Sequence, residues 1–261
     1  MARLLIILLL SLLLSACATQ VTRVDNLNHE DETIATPSLK LKMQRLALAP
    51  KSGAQAIEKE TLEIGDIVLT ADDGSLISFA IRLASISPVS HAAIYVGDNI
   101  FVEAVAKGVH KATIEDLIEE QTVIAVYRHP ELTDEQRERL KSIALDGVGH
   151  SYHFVGVALQ APFMVTRRAC EIPLMPNLTR QACYGTLAAV QMPFPGGDKS
   201  FCSQYVLNVF QEAGVPLTDA RAHWVSPRDL MHMRENDVPG FDPHLQLRYV
   251  GHLKQAPIAL Q

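Results

Sequence analysis

Nothing in this chain is long and apolar enough to cross a bilayer, no excess of basic charge suits it to nucleic acid, and it holds a single tryptophan. The longest apolar run, residues 4–14, falls short of the ~20 residues that a spanning helix needs. The formal net charge is −6, which excludes non-specific nucleic-acid binding and electrostatic attachment to anionic lipid heads. There is no internal repeat and no low-complexity tract, and the Gly-x-Ser-x-Gly, His-Glu-x-x-His and phosphate-binding-loop patterns are all missing. Those absences remove serine-esterase elbows, zincins and nucleotide hydrolases as leading readings.

What the chain does have begins at its N-terminus. One basic residue, Arg3, precedes the apolar run, which closes on Leu14-Ser15-Ala16-Cys17. This basic, apolar, small-residue order marks a cleavable secretory segment. The tetrapeptide resembles a bacterial lipobox, which predicts cleavage after residue 16 and lipidation of Cys17. The anchor then requires no spanning helix, because each buried methylene contributes about 0.8 kcal/mol. An Asp after the anchor cysteine resembles an inner-membrane retention signal; Ala18 stands there instead, so the expected location is the outer membrane, facing the periplasm. Residues 17–60 are mostly polar with mixed charges and are expected to be a tether. Residues 61–261 are expected to form one domain, long enough for a full hydrophobic core.

Beyond Cys17 the cysteines are Cys170, Cys183 and Cys202. An oxidising compartment favours pairing; Cys170 and Cys183 flank a short segment holding Pro173 and Pro176, and Cys202 stands apart. One thiol is left over, either reactive or buried and inert. Its context favours reactivity. The stretch 198–214 follows Pro195-Gly196-Gly197, ends in Gly214 and reads as a single helix. Ser200 is the expected N-cap, which puts Cys202 in the first turn, where free N–H groups and the helix dipole favour a thiolate. Val206, Val209, Phe210 and Ala213 follow at helical spacing, so the thiol lies on the packed face and needs a base from another element.

His91 is the best candidate. It lies in a β-branched and aromatic run, 89–96, that closes on Gly97-Asp98-Asn99, a hairpin-turn signal. The return strand, 100–105, carries Glu103 back toward His91, the arrangement that orients a catalytic imidazole. A metal site is not expected: His150 and His153 have no clear third ligand, and no cofactor is implied. The remaining strand-like runs are 67–69, 123–127 and 247–250, set among helices near 75–84, 113–120, 133–145 and 227–234. The predicted class is α+β, a small antiparallel sheet packed on helices. Thr133 with Gln136, and Ser226 before Pro227, mark two helix starts.

The ordered set 64–69, 90–97, 102–104 and 201–206, with Cys170 and Cys183, Pro162 to Arg167, Asp229 to Arg234 and Tyr249 to Lys254, resembles the YaeF/YiiX family of circularly permuted papain-like cysteine hydrolases, within the NlpC-type superfamily. In that family the histidine strand precedes the nucleophile helix, which is the order His91, Glu103, Cys202. The resemblance implies Cys202 as nucleophile, His91 as base and acid, and Glu103 as the group that fixes the imidazole tautomer. It also implies Tyr152 as an oxyanion donor and a Cys170–Cys183 disulfide. The implied substrate is an amide, ester or thioester in a peptide, cell-wall peptide or lipid. The competing class is a non-catalytic envelope lipoprotein that uses the scaffold as a binding module.

Overall fold

The computed structural model describes residues 18–26, 36–105, 107–150, 162–172, 174–191 and 201–255. Cys17, Tyr152, His153 and Ser200 lie outside the described residues.

A six-stranded antiparallel sheet, in the order β6-β5-β4-β3-β7-β8, forms the body. Its strands are β3 (Ile67–Ala71), β4 (His91–Tyr95), β5 (Ile100–Val105), β6 (Gly108–Thr113), β7 (Val123–Arg128) and β8 (Arg248–Lys254). β3 and β7 are buried at every position, which is why their sequences are nearly unbroken apolar runs rather than alternating ones. One core cluster joins Ile67, Leu69, Ile94, Val102 and Tyr127 to Val206, Val209 and Phe210. The second gathers Val68, Ala93, Tyr95, Phe101 and Val126 with Ile114 and Leu117. The alternate residues of each strand therefore serve different cores, and helices cover both faces. The class is α+β, as the pattern of elements implies.

Local chemistry sets the helix starts. Ser75 caps α1 (Leu76–Ser85), accepting from the Ser78 N–H. Capping boxes open α2 (Ile114–Glu120) through Thr113 and Asp116 and α3 (Asp134–Asp146) through Thr133 and Gln136. α4 spans Asn177–Gln191 and α5 spans Cys202–Glu212. α6 (Pro227–His232) has Pro at its start and a Ser226/Asp229 capping box.

Three features depart from the sequence pattern. β6 was not expected, because Val109-His110-Lys111-Ala112 places two polar residues between its apolar ones and shows no strand alternation. α4 was not expected either; Cys183 of α4 is joined to Cys170 by a disulfide with a Cα–Cα distance of 5.8 Å. Thirdly, the stretch read as a tether contains β1 (Thr19–Asn26) paired with β2 (Thr36–Met43). Polar groups dock it: the Gln44 amide N donates to the Val238 carbonyl at 2.9 Å, and Arg180 Nη1 donates to the Thr19 carbonyl at 2.7 Å. Such contacts leave no hydrophobic period to read.

Buried ion pairs fasten the segment around the disulfide. Arg167 grips Asp229 through two hydrogen bonds of 2.8 and 2.5 Å, and Arg228 Nη1 donates to Glu171 at 2.9 Å. The Arg167 guanidinium also lies over the rings of Phe163, Tyr184 and Phe241. Within the sheet, Arg128 holds buried Asp66 with bonds of 2.6 and 2.7 Å, pinning the start of β3 to the end of β7.

Candidate active site

The β4–β5 hairpin turns on Asp98 and Asn99, both left-handed with φ of 54° and 59°. That pair of positive φ values is what a two-residue I′ turn demands. Gly97, with φ of 91°, is an extra residue beside the turn, since Ile100 bonds both the Val96 N–H and the Gly97 carbonyl; turn and bulge together set the register, Tyr95 with Phe101, Ile94 with Val102 and Ala93 with Glu103. His91, two residues before Ala93, therefore shares a strand face with Glu103. The side chains meet there, with His91 Nε2 2.6 Å from Glu103 Oε2.

The next hairpin brings in a residue that sequence reasoning missed. β6 pairs with β5 so that His110 stands directly opposite Glu103, and His110 Nε2 lies 3.1 Å from Glu103 Oε1. Each carboxylate oxygen thus serves one imidazole. The available signal was Gly108, which has a φ of 121° at the start of β6.

Cys202 is the first residue of α5 and is a buried free thiol. The N-cap is Phe201 rather than the expected Ser200, and it makes no side-chain capping bond. The first four N–H groups of a helix have no intrahelical acceptor, so the cap leaves the thiol beside donors that the N-cap side chain does not occupy. Two contacts seat this helix. Tyr205 donates its hydroxyl to the Ala144 carbonyl of α3 at 2.7 Å, and Ser203 donates to the Val225 carbonyl at 2.7 Å. Gly147 allows the first, since a Cβ there would sit 2.9 Å from the Tyr205 hydroxyl.

The thiol lies close enough to His91 to act on its ionisation. With Nε2 engaged by Glu103, Nδ1 is the ring nitrogen left for sulfur. His91 holds its proton well above the usual imidazole range: burial works against the charge, and the neighbouring Cys202 and Glu103 outweigh it. Glu103 is pushed well below the usual carboxylate range, again despite burial, by His91 and His110. His110 is itself raised, chiefly by its hydrogen bond to Glu103. An anionic carboxylate that keeps a buried imidazolium charged beside a thiol is the electrostatic setting for a thiolate–imidazolium pair.

Among the described residues no group of three or more His, Cys, Asp or Glu side chains is placed to hold a metal ion. His150 is exposed.

A strand-borne histidine and carboxylate facing a helix-start cysteine, in that chain order, define a papain-like hydrolase with permuted connectivity. Residues 61–157 match the family described as permuted papain-like amidase enzyme, YaeF/YiiX, C92 family. The chain is 37% identical over 250 residues to the probable lipoprotein peptidase YaeF of Escherichia coli (strain K12), covering 93% of this chain and 89% of the relative. It belongs to the YaeF/YiiX family. A solved structure, that of the metalloprotein yiiX from Escherichia coli O157:H7, superposes with a TM-score of 0.44 at 19% identity, over 76% of this chain and 99% of that one.

Proposed function

We propose that this protein is a lipid-anchored cysteine hydrolase or acyltransferase of the periplasmic face of the outer membrane, using Cys202, His91 and Glu103 as a triad. The observation that carries the reading is the convergence of thiol, imidazole and carboxylate, with the 2.6 Å His91–Glu103 bond fixing the ring.

In the proposed cycle Cys202 Sγ attacks the carbonyl carbon of an amide, ester or thioester. The first-turn N–H groups of α5, with Tyr152 as a further donor, receive the charge that develops on the carbonyl oxygen. His91 gives its proton to the leaving amine, alcohol or thiol, and an acyl-thioester remains on Cys202. Water, deprotonated by His91, releases the acid; an acceptor other than water would give acyl transfer. Glu103 stabilises the imidazolium and holds its tautomer, accepting no proton itself. The relative YaeF is named a lipoprotein peptidase, which favours a peptide amide as the scissile bond.

The anchor belongs to the same reading. Cys17 is the lipid acceptor, and Ala18 directs the protein to the outer membrane. The relative's lipoprotein character supports this.

The test is covalent labelling of Cys202 by a small thiol-reactive acyl probe, in the unaltered protein and in His91→Ala. Rapid labelling that collapses in His91→Ala is the expected result. Equal labelling of both refutes the triad and returns the chain to a binding module.

A further inference from the structure

The residue after the lipid acceptor is not at the end of a free tether. Ala18 is fully buried; its N–H donates to Gln44 Oε1 at 3.2 Å and its carbonyl accepts from the Gln44 N–H at 2.9 Å. Thr19 is clamped as well: its hydroxyl oxygen accepts from the Leu174 N–H at 2.7 Å and its carbonyl from Arg180. Cys17 is one Cα step, about 3.8 Å, from Ala18. The acyl chains therefore leave the body at a fixed point.

Exposed apolar side chains border that point. Leu174 bonds Thr19 through its backbone and is 64% exposed, and Leu178 nearby is 82% exposed. Met43, 55% exposed, pairs with Thr19 across the β1–β2 ribbon. Three residues on, Leu46 lines a shallow cleft of about 320 Å³ together with Phe79, Leu83 and Ile86 of the α1 region. α1 carries its apolar residues outward: Leu76, Phe79 and Leu83, at helical spacing, are 85%, 60% and 66% exposed. Its buried residues are Ser78 and Ser85. A helix with serines inward and leucines outward is inverted for water, and the inversion calls for an apolar partner.

We propose that α1, Leu46, Met43 and the Leu174/Leu178 loop form one membrane-docking face, seated on the bilayer that receives the Cys17 acyl chains. The proposal rests on the lipoprotein reading above. The bilayer is the occupant the geometry favours, because the buried Ala18 holds this face against whatever surface contains the acyl chains. The helix sits on the interface as amphipathic anchors do.

The face also positions the catalytic strand. α1 is the connection from β3 to β4, and on its buried side Ser78 Oγ lies 2.7 Å from Ser90 Oγ, the neighbour of His91. The triad is then held about one helix diameter, ~10 Å, from the lipid. Its substrates are those presented at the membrane surface.

Phe79→Trp in a Trp224→Phe background tests the face directly, because the only indole in the protein then stands at position 79. The chain is matured in cells and reconstituted in phosphatidylethanolamine/phosphatidylglycerol vesicles containing brominated lipid. The expected result is co-flotation with the vesicles, a blue-shifted indole emission and quenching of that emission by bromine. In parallel, the Cys17→Ser chain should partition weakly onto vesicles, and Leu76→Ser with Leu83→Ser, both at exposed positions, should lower that partition about tenfold or more. A chain that floats while its indole stays water-exposed overturns the docking alone. A matured chain that does not float overturns the anchor and the docking with it. A stable dimer of the Cys17→Ser chain that buries position 79 without lipid also overturns the docking, assigning the face to a second copy.

Discussion

Replacing Glu103 by Gln keeps the size and one acceptor oxygen of the side chain but removes its charge. In the native site that charge lies 2.6 Å from His91 Nε2 and, with Cys202, keeps the buried imidazolium ionised. Charge-assisted hydrogen bonds contribute about 1.5–3 kcal/mol where neutral ones contribute about 0.5–1.5. The difference, roughly 1–2 kcal/mol, is a loss of about 5- to 30-fold in the population of the thiolate–imidazolium pair. Iodoacetamide alkylation of Cys202 measures that population without any knowledge of the substrate. At about pH 6, well under the ~8.5 at which an ordinary thiol ionises, the variant should react about 5- to 30-fold more slowly than the native protein. Above that range the two rates should converge, because the thiol then ionises without help. Equal rates at pH 6 would refute the electrostatic role of Glu103. A deficit that persists at every pH would show instead that the substitution had disordered the site.

Reducing the Cys170–Cys183 crosslink, which closes a loop of sequence separation 13, should cost about 3 kcal/mol in the chain-entropy account, read as a lower urea midpoint, while peptide mapping finds Cys202 unpaired. Asp229→Ala strands the buried Arg167 charge and should destabilise by about 3–5 kcal/mol; a denaturation midpoint within error of the native one would contradict the burial argument. Stability should also fall on acidification. His232 and His252 are both lowered by burial, to about 4, so below about pH 6.5 the unfolded chain binds protons that the native state refuses. Glu103 and Asp237 have depressed values, Asp237 to about 2; their contribution is present above the ordinary carboxylate range and is lost as pH falls toward the folded values. The thermal midpoint should therefore drop progressively from about pH 6.5 downward, and a flat profile to pH 4 would contradict both assignments.

The parts of this molecule that were legible in its sequence are those with short-range causes. Asp98-Asn99 announced its turn because two successive positive φ values restrict the residues that can stand there. Thr133 with Gln136, and Ser226 with Pro227, announced helix starts through bonds made within four residues. The fully buried strands β3 and β7 could be read as apolar runs. What escaped was decided at a distance. His110 became a partner of Glu103 only through the register of a second hairpin. The helix carrying Cys202 took Phe201 as its cap in place of Ser200, and its position is fixed by Tyr205 against α3 and Ser203 against the 222–225 turn. Ala18 and Thr19 dock on Gln44, Leu174 and Arg180, residues far along the chain whose types say nothing about that contact.

The order in which β4, β5 and the Cys202 helix follow one another along the chain sets a timetable. A chain that emerges N-terminus first completes the β4–β5 hairpin, and with it the imidazole–carboxylate pair, while the thiol is still unsynthesised or untranslocated. The disulfide-joined segment with its buried arginines also precedes α5 in the chain. Closing so long a loop is among the slower events of folding. Cys202 thus reaches His91 after the β4–β5 hairpin is complete, and in the proposed triad a chain truncated before it carries a histidine with nothing to activate. The permuted order thus leaves the sulfur as the last of the three groups to join the site.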